Sequence, residues 1–150
     1  MKTGKEKTNL VNEMKLRLPS LSVNESMARA AVAAFCAQTD PDATELADIK
    51  CAVSEAVTNC IVHAYRNTVG IIYITVRLYE DRTVEIGIRD RGCGIENVQE
   101  ARQPLYTTDA EGERSGMGFT VMESFCDKVR VLSRCGKGTT VTLYKRLGRR

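Results

Sequence analysis

A chain of 150 residues with 43% hydrophobic and 27% charged residues can bury one core and falls outside the collagenous, mucin-like and wholly disordered classes. Its 22 basic and 19 acidic residues leave a net charge of +3, and the excess gathers in Met1–Lys7 and Lys145–Arg150, which reads as two frayed tails rather than a nucleic-acid stripe. No apolar run approaches the roughly 20 residues of a membrane span, and the start MKTGKEKTN lacks the apolar stretch of a signal peptide, so a cytoplasmic protein with no membrane partner is expected.

In chain order, residues 1–11 read as a flexible polar tail, residues 12–145 as a single domain and residues 146–150 as a basic tail. Met14, Leu16 and Leu18 alternate with Lys15 and Arg17 before Pro19, the pattern of a strand at a sheet edge. Ser22-Val-Asn-Glu25 has the S-x-x-E form of a capping box and opens an alanine-rich helix to about Gln38. Asp40-Pro41-Asp42 breaks the chain and restarts it. Ile49, Ala52, Val53, Ala56, Val57, Cys60, Ile61 and Ala64 then recur at helical spacing and define a long amphipathic helix.

After Gly70, two alternating runs, Ile72 to Leu78 and Val84 to Ile88, flank Glu80-Asp81-Arg82 and read as a hairpin. A short helix is expected over about Asn97 to Gln103, a loop over Thr107 to Arg114, and a further helix opened by Ser115-Gly-Met-Gly118. Two strands, about Lys128 to Ser133 and Thr139 to Tyr144, close the chain around Cys135-Gly-Lys-Gly. Strands paired in sequence with helices between them predict an α+β, two-layer sandwich, with helices on one face of a mixed, mostly antiparallel sheet.

The cysteines at 36, 51, 60, 93, 126 and 135 are never spaced as CxxC, and His63 is the only histidine, which argues against a zinc ribbon or a dithiol redox motif. Cys36, Cys51, Cys60 and Cys126 fall among apolar residues and are expected to pack as small hydrophobes. Glu55 and Asn59 stand one helical turn apart, away from the apolar stripe. A neutral amide oxygen suits Mg²⁺ and a carboxylate one turn away suits proton transfer, although a solvated polar face gives the same pattern. His63, a further turn along, reads as a polar-face residue. Asp90-Arg-Gly-Cys-Gly-Ile95 after a strand either brings the backbone close to a ligand, with the aspartate able to accept an adenine amine, or forms an ordinary turn. Ser115-Gly116-Met117-Gly118 offers unobstructed amides at a helix start, suited to polyphosphate. Neither glycine cluster fits GxxxxGK[ST] or GxGxxG.

Taken in order, SEAVTNCIVHAY, RDRGCGI, PLYTT, RSGMGF and GTT resemble the ATP-binding fold shared by gyrase, the Hsp90 chaperone, MutL and sensor histidine kinases, the GHKL or Bergerat type. More closely, NEMKLRLPSLSVNESMARA, IKCAVSEAVTNCIVHAY, EARQPLYTT and ERSGMGFTVMESF resemble the anti-sigma F serine kinases of spore-forming bacteria, over about residues 12–144. The resemblance implies that Glu55 is the general base, that Asn59 holds Mg²⁺ against the phosphates of ATP, and that Asp90 reads adenine within a wall shaped by Gly92, Gly94 and Ile95. It makes Thr107 and Thr108 the start of an ATP lid and brings Arg114 to the phosphates. It gives Ser115, Gly116, Met117 and Gly118 to the polyphosphate, and it puts Thr139 or Thr140 near the adenine. Arg114-Ser115 stand where many relatives carry a further glycine.

The implied activity is ATP-dependent phosphorylation of a serine on an anti-anti-sigma protein by a homodimer that otherwise holds a sigma F type factor inactive, with no direct nucleic-acid contact. Glu25 and Arg29 match the family's partner-binding face; a plain surface ion pair at i, i+4 is the other reading. A nucleotide-gated binding module without kinase activity is the competing function.

Overall fold

The computed structural model describes residues 8–103 and 118–148. Among these, five strands form one sheet in the order β1 (Leu10–Pro19), β2 (Ile71–Tyr79), β3 (Thr83–Arg89), β5 (Gly138–Arg146) and β4 (Lys128–Arg134). All four pairings are antiparallel. The sheet of described strands is therefore antiparallel throughout rather than mixed, because β5 returns from the β4 hairpin and inserts between β3 and β4, antiparallel to both. β1 lies at one edge, as its alternation predicts.

The sheet's alternation sets one face apolar. Cross-strand rows such as Leu16, Ile74, Ile88, Val141 and Val131 stack toward three helices, α1 (Asn24–Cys36), α2 (Ala43–Asn59) and α4 (Gly118–Phe125). Ala28, Val32, Ile49, Val53, Val57 and Met122 join those strand residues in a single core. Each fully buried aliphatic side chain of this kind contributes about 1.5–3 kcal/mol. A four-residue helix, α3 (Val98–Ala101), is capped by Asn97, whose Oδ1 accepts the Glu100 N–H. Among the described residues, no helix is long and apolar enough to cross a membrane.

The helix starts depart from expectation in an instructive way. The Ser22–Glu25 capping box does not form: α1 has no side-chain cap, because backbone carbonyls of Leu21 and Ser22 already accept the Asn24 and Glu25 amides. The Glu25 carboxylate is drawn off to Ser54 Oγ on α2 and to Arg29. A complete capping box stands instead at Asp42 and Glu45, at 2.7 and 3.0 Å, and starts α2.

The packed unit also runs past the expected C-terminal boundary. Lys145, only 14% exposed, reaches Asp48 and the Phe125 carbonyl. The Arg146 N–H donates to Asp127, and Leu147 is buried. Of the cysteines expected to be packed, Cys36 is buried and its thiol pushed up to about 12 by desolvation; Cys51 is exposed, since it falls on the outer side of α2 between inward-facing Ile49 and Ala52.

Two substitutions separate the two cap signatures. Asp42→Ala is expected to cost about 0.5–2 kcal/mol, whereas Ser22→Ala, which removes no cap hydrogen bond, leaves the denaturation midpoint unchanged. Urea titrations of both variants measure this.

Candidate functional site

At its C-terminal end α2 widens into a π-helical turn, Cys60–Ala64, closed by the Tyr65 N–H donating to the Cys60 carbonyl. Such insertions favour functional sites because they shift the following side chains off the regular helical stripe. Here the turn aims Cys60 at Asp90, which follows β3 and is 5% exposed. Asp90 Oδ1 accepts the N–H groups of Gly92 at 2.9 Å and Thr139 at 3.2 Å, and Oδ2 accepts the Cys60 thiol at 3.6 Å. Burial raises the Asp90 pKa, and the two backbone donors pull it partly back. Ionised Asp90 is therefore a net cost to the fold at neutral pH, a cost relieved as pH falls toward the range where an exposed aspartate titrates.

The glycines around this carboxylate admit backbone against backbone. A Cβ on Gly92 would collide with the Ala64 carbonyl, one on Gly94 with the Arg134 carbonyl, and one on Gly138 with the Asp90 carbonyl. The loop is thereby pinned to the π-turn and to the β4–β5 hairpin, through the Cys93 N–H to Ala64 and the Gly136 N–H to Cys93. Gly92 and Gly94 thus make the close backbone packing of this turn possible. The Ile95 N–H donates to Ser133 Oγ at 2.7 Å, and Ser133 Oγ meets Thr139 Oγ1 at 2.7 Å.

Glu55 and Asn59 are half-buried on α2, under the backbone of Gly118. A Cβ at 118 would lie 3.3 Å from Asn59 Oδ1 and 3.4 Å from Glu55 Oε2, so glycine there leaves the carboxylate and amide uncrowded. Of the two threonines, Thr139 joins Asp90 on the helical side, whereas Thr140 pairs with Arg89 and Leu132 on the opposite face of the sheet. Thr107, Thr108, Arg114, Ser115, Gly116 and Met117 lie outside the described residues. His63 sits in the π-turn, where its carbonyl accepts the Cys93 thiol. Glu25 and Arg29 form an ion pair at 3.4 Å. Arg29 also lines a groove of about 750 Å³ between α1 and α2, with Met27 and Lys50.

Three contributors were not singled out by sequence reasoning: the Cys60 thiol, Ser133, and Tyr65, whose hydroxyl takes the Arg91 N–H and donates to the Ile71 carbonyl. Nothing in their local pattern marks them, because each acts on a residue more than five positions away.

The family model for the histidine kinase-like ATPase domain matches residues 18–145. An anti-sigma F factor of Anoxybacillus flavithermus is 58% identical over 137 residues, covering 91% of this chain and 93% of its own length. The anti-sigma F factor of Caldanaerobacter subterraneus is 55% identical over 138 residues, with 92% and 96% covered. The chain belongs to the anti-sigma F factor family. In architecture this family member is similar to a crystal structure of the RsbU and RsbW domains of a Mycobacterium tuberculosis protein, at a TM-score of 0.69 and 25% identity, covering 93% of this chain and 34% of that one. The histidine kinase domain of an Erythrobacter litoralis blue-light activated kinase shares the fold at a TM-score of 0.54 and 17% identity, with 82% and 61% covered.

Gly94 and Gly136 have similar left-handed φ values, +79° and +74°, but only Gly94 faces a backbone collision. Gly136→Ala is expected to cost about 1–2 kcal/mol from its backbone conformation alone, and Gly94→Ala distinctly more. Thermal unfolding of the two variants checks the difference.

Proposed function

We propose that this anti-sigma F family member binds ATP against α2, the 90–95 loop and α4, transfers the terminal phosphate to a serine of an anti-anti-sigma protein, and holds a sigma F type factor inactive. The observation that carries the reading is the half-buried Glu55 and Asn59 pair beneath the bare backbone of Gly118, on the same side of the sheet as the buried Asp90 carboxylate. The printed names of the relatives and the kinase-like ATPase domain support it.

The residues fit the ligands. Asp90 Oδ1 is committed to two backbone donors, whereas Oδ2 has a thiol, a weak donor, as its partner among the described residues. It keeps acceptor capacity for the amine of adenine. Among the described residues there is no cluster of three or more His, Cys, Asp or Glu side chains able to hold a metal. The donor set at α2 is a single neutral amide oxygen, Asn59 Oδ1, which suits Mg²⁺ that keeps its waters and shares the phosphates. When bound there, Mg²⁺ would offset phosphate charge. Glu55 would accept the serine hydroxyl proton as the oxygen attacks the terminal phosphorus. Arg114, with residues 115–118, is assigned to the polyphosphate, and Thr107 and Thr108 to the lid. Glu25 and Arg29 present the partner face on α1, away from the nucleotide. The protein would act in the cytoplasm as a homodimer.

Glu55→Gln is expected to slow phosphorylation of the anti-anti-sigma protein by about 10²–10⁴-fold with little change in ATP affinity. Intact-mass kinetics and calorimetry separate the two effects. If the wild type binds ATP and sigma factor but transfers no phosphate, the chain is a nucleotide-gated binding module instead.

Asp90→Asn is expected to weaken ATP binding by an amount corresponding to about 1.5–3 kcal/mol, the worth of a hydrogen bond to a charged group. Burial raises the Asp90 pKa, so protonation, which removes the acceptor, begins above the ordinary aspartate value of about 3.9. Wild-type ATP affinity should fall as pH drops toward that range, with a component that Asp90→Asn lacks; calorimetry across pH reads it.

A further inference from the structure

The face of the sheet turned away from the helices carries a charge pattern that the nucleotide site does not use. Its cross-strand register forms rows. In one, Glu13, Arg77 and Glu85 lie side by side, and Arg77 satisfies both glutamates at 2.7 and 3.0 Å. At the other end, Arg17, Tyr73, Arg89, Thr140 and Leu132 form a row with no carboxylate. The guanidinium carbons of Arg17, Arg89 and Arg91 stand 5.2, 5.2 and 5.0 Å from the centre of the Tyr73 ring. Among the described residues, none of these three arginines has an ion-pair partner.

Next to this cluster opens a cavity of about 690 Å³, lined by Arg89, Arg91, Arg134, Lys137 and the exposed Leu132. Its inner rim is shared with Asp90, Ser133 and Thr139 of the candidate nucleotide site, where Asp90 Oδ1 takes the Gly92 and Thr139 N–H groups and Oδ2 the Cys60 thiol. Like charges gathered around one ring repel each other, and an anion bridging them relieves that repulsion.

We infer that this face is a docking surface for an acidic segment of a protein partner, its carboxylates on Arg17, Arg89 and Arg91 and an apolar side chain over Leu132. Charge complementarity selects the partner's sign. Carboxylates match guanidinium forks bidentately, whereas a nucleic acid would need open aromatic faces for stacking, and the Tyr73 ring is already flanked by arginines. The surface is distinct from the α1 face carrying Glu25 and Arg29 and does not rest on the nucleotide reading.

The test is a titration of the full chain, followed by amide NMR, with three probes: a short synthetic Glu/Asp peptide containing one leucine, its Gln/Asn counterpart, and a single-stranded oligonucleotide of equal charge. The acidic peptide is expected to shift the amides of Arg89, Arg91, Leu132 and Thr140. Arg17→Glu should weaken its binding roughly tenfold or more, while Lys50→Glu, the same charge change on the helical side, should not. Circular dichroism confirms that both variants keep the fold. Equal binding of the neutral peptide, equal loss in Lys50→Glu, shifts confined elsewhere, no binding, or tighter binding of the oligonucleotide at these amides would each overturn the assignment.

Discussion

A carboxylate shut inside a protein is tolerated only when donors surround it, since an unpaired buried charge costs several kcal/mol. Asp90 imposes that condition on the molecule. Its donors come from three places far apart in the chain: the loop that follows it, the start of β5, and the end of α2. Each must approach to hydrogen-bond distance, and Gly92, Gly94 and Gly138 stand where a side chain would prevent it. The join between β3, β5 and α2 is thus built around one charge.

The helix that bears the candidate catalytic pair is also set by a carboxylate at its far end, there an exposed one. Asp42 and Glu45 set where α2 begins; its apolar stripe then settles on the sheet, and Glu55 and Asn59 are left toward Gly118. The π-turn adds the register change that a regular helix could not make. It carries Cys60 to Asp90 and presents the Ala64 carbonyl to the loop. A helix optimised for stability alone would end in an ordinary cap, so the widened turn is consistent with a site whose geometry has precedence over local regularity.

The sheet itself divides the chemistry in two. Because strand side chains alternate, adjacent residues serve opposite faces: Asp90 and Thr139 look to the helices, and Arg89 and Thr140 look away. An acidic acceptor and a basic, partly apolar surface therefore sit back to back across one layer of backbone. A ligand on either face touches the same two strand ends.

Much of this was legible in the sequence. Periodicity marked β1 to β5 and α2, because two- and 3.6-residue repeats follow from burying one side of an element. The ordered motifs around Glu55, Asn59, Asp90 and Gly118 indicated the family, because those residue types bear chemistry wherever the fold puts them. The Ser22–Glu25 cap failed where Asp42–Glu45 succeeded. Both have the signature, but the Glu25 carboxylate has a better partner on α2, and competition between a local and a distant acceptor is invisible to a local pattern. The hydrogen bond of Thr139 rather than Thr140 to Asp90, the reach of Cys60, the close backbone packing at the glycines and the arginine row across Tyr73 were likewise decided only in the folded molecule. Each depends on the register between strands or on the packing of a helix end. Sequence by itself determined which side chains were available and on which face of their own element they lay. Tertiary structure decided which of them met, because hydrogen bonds and charges act over a few ångströms of space, however many residues intervene.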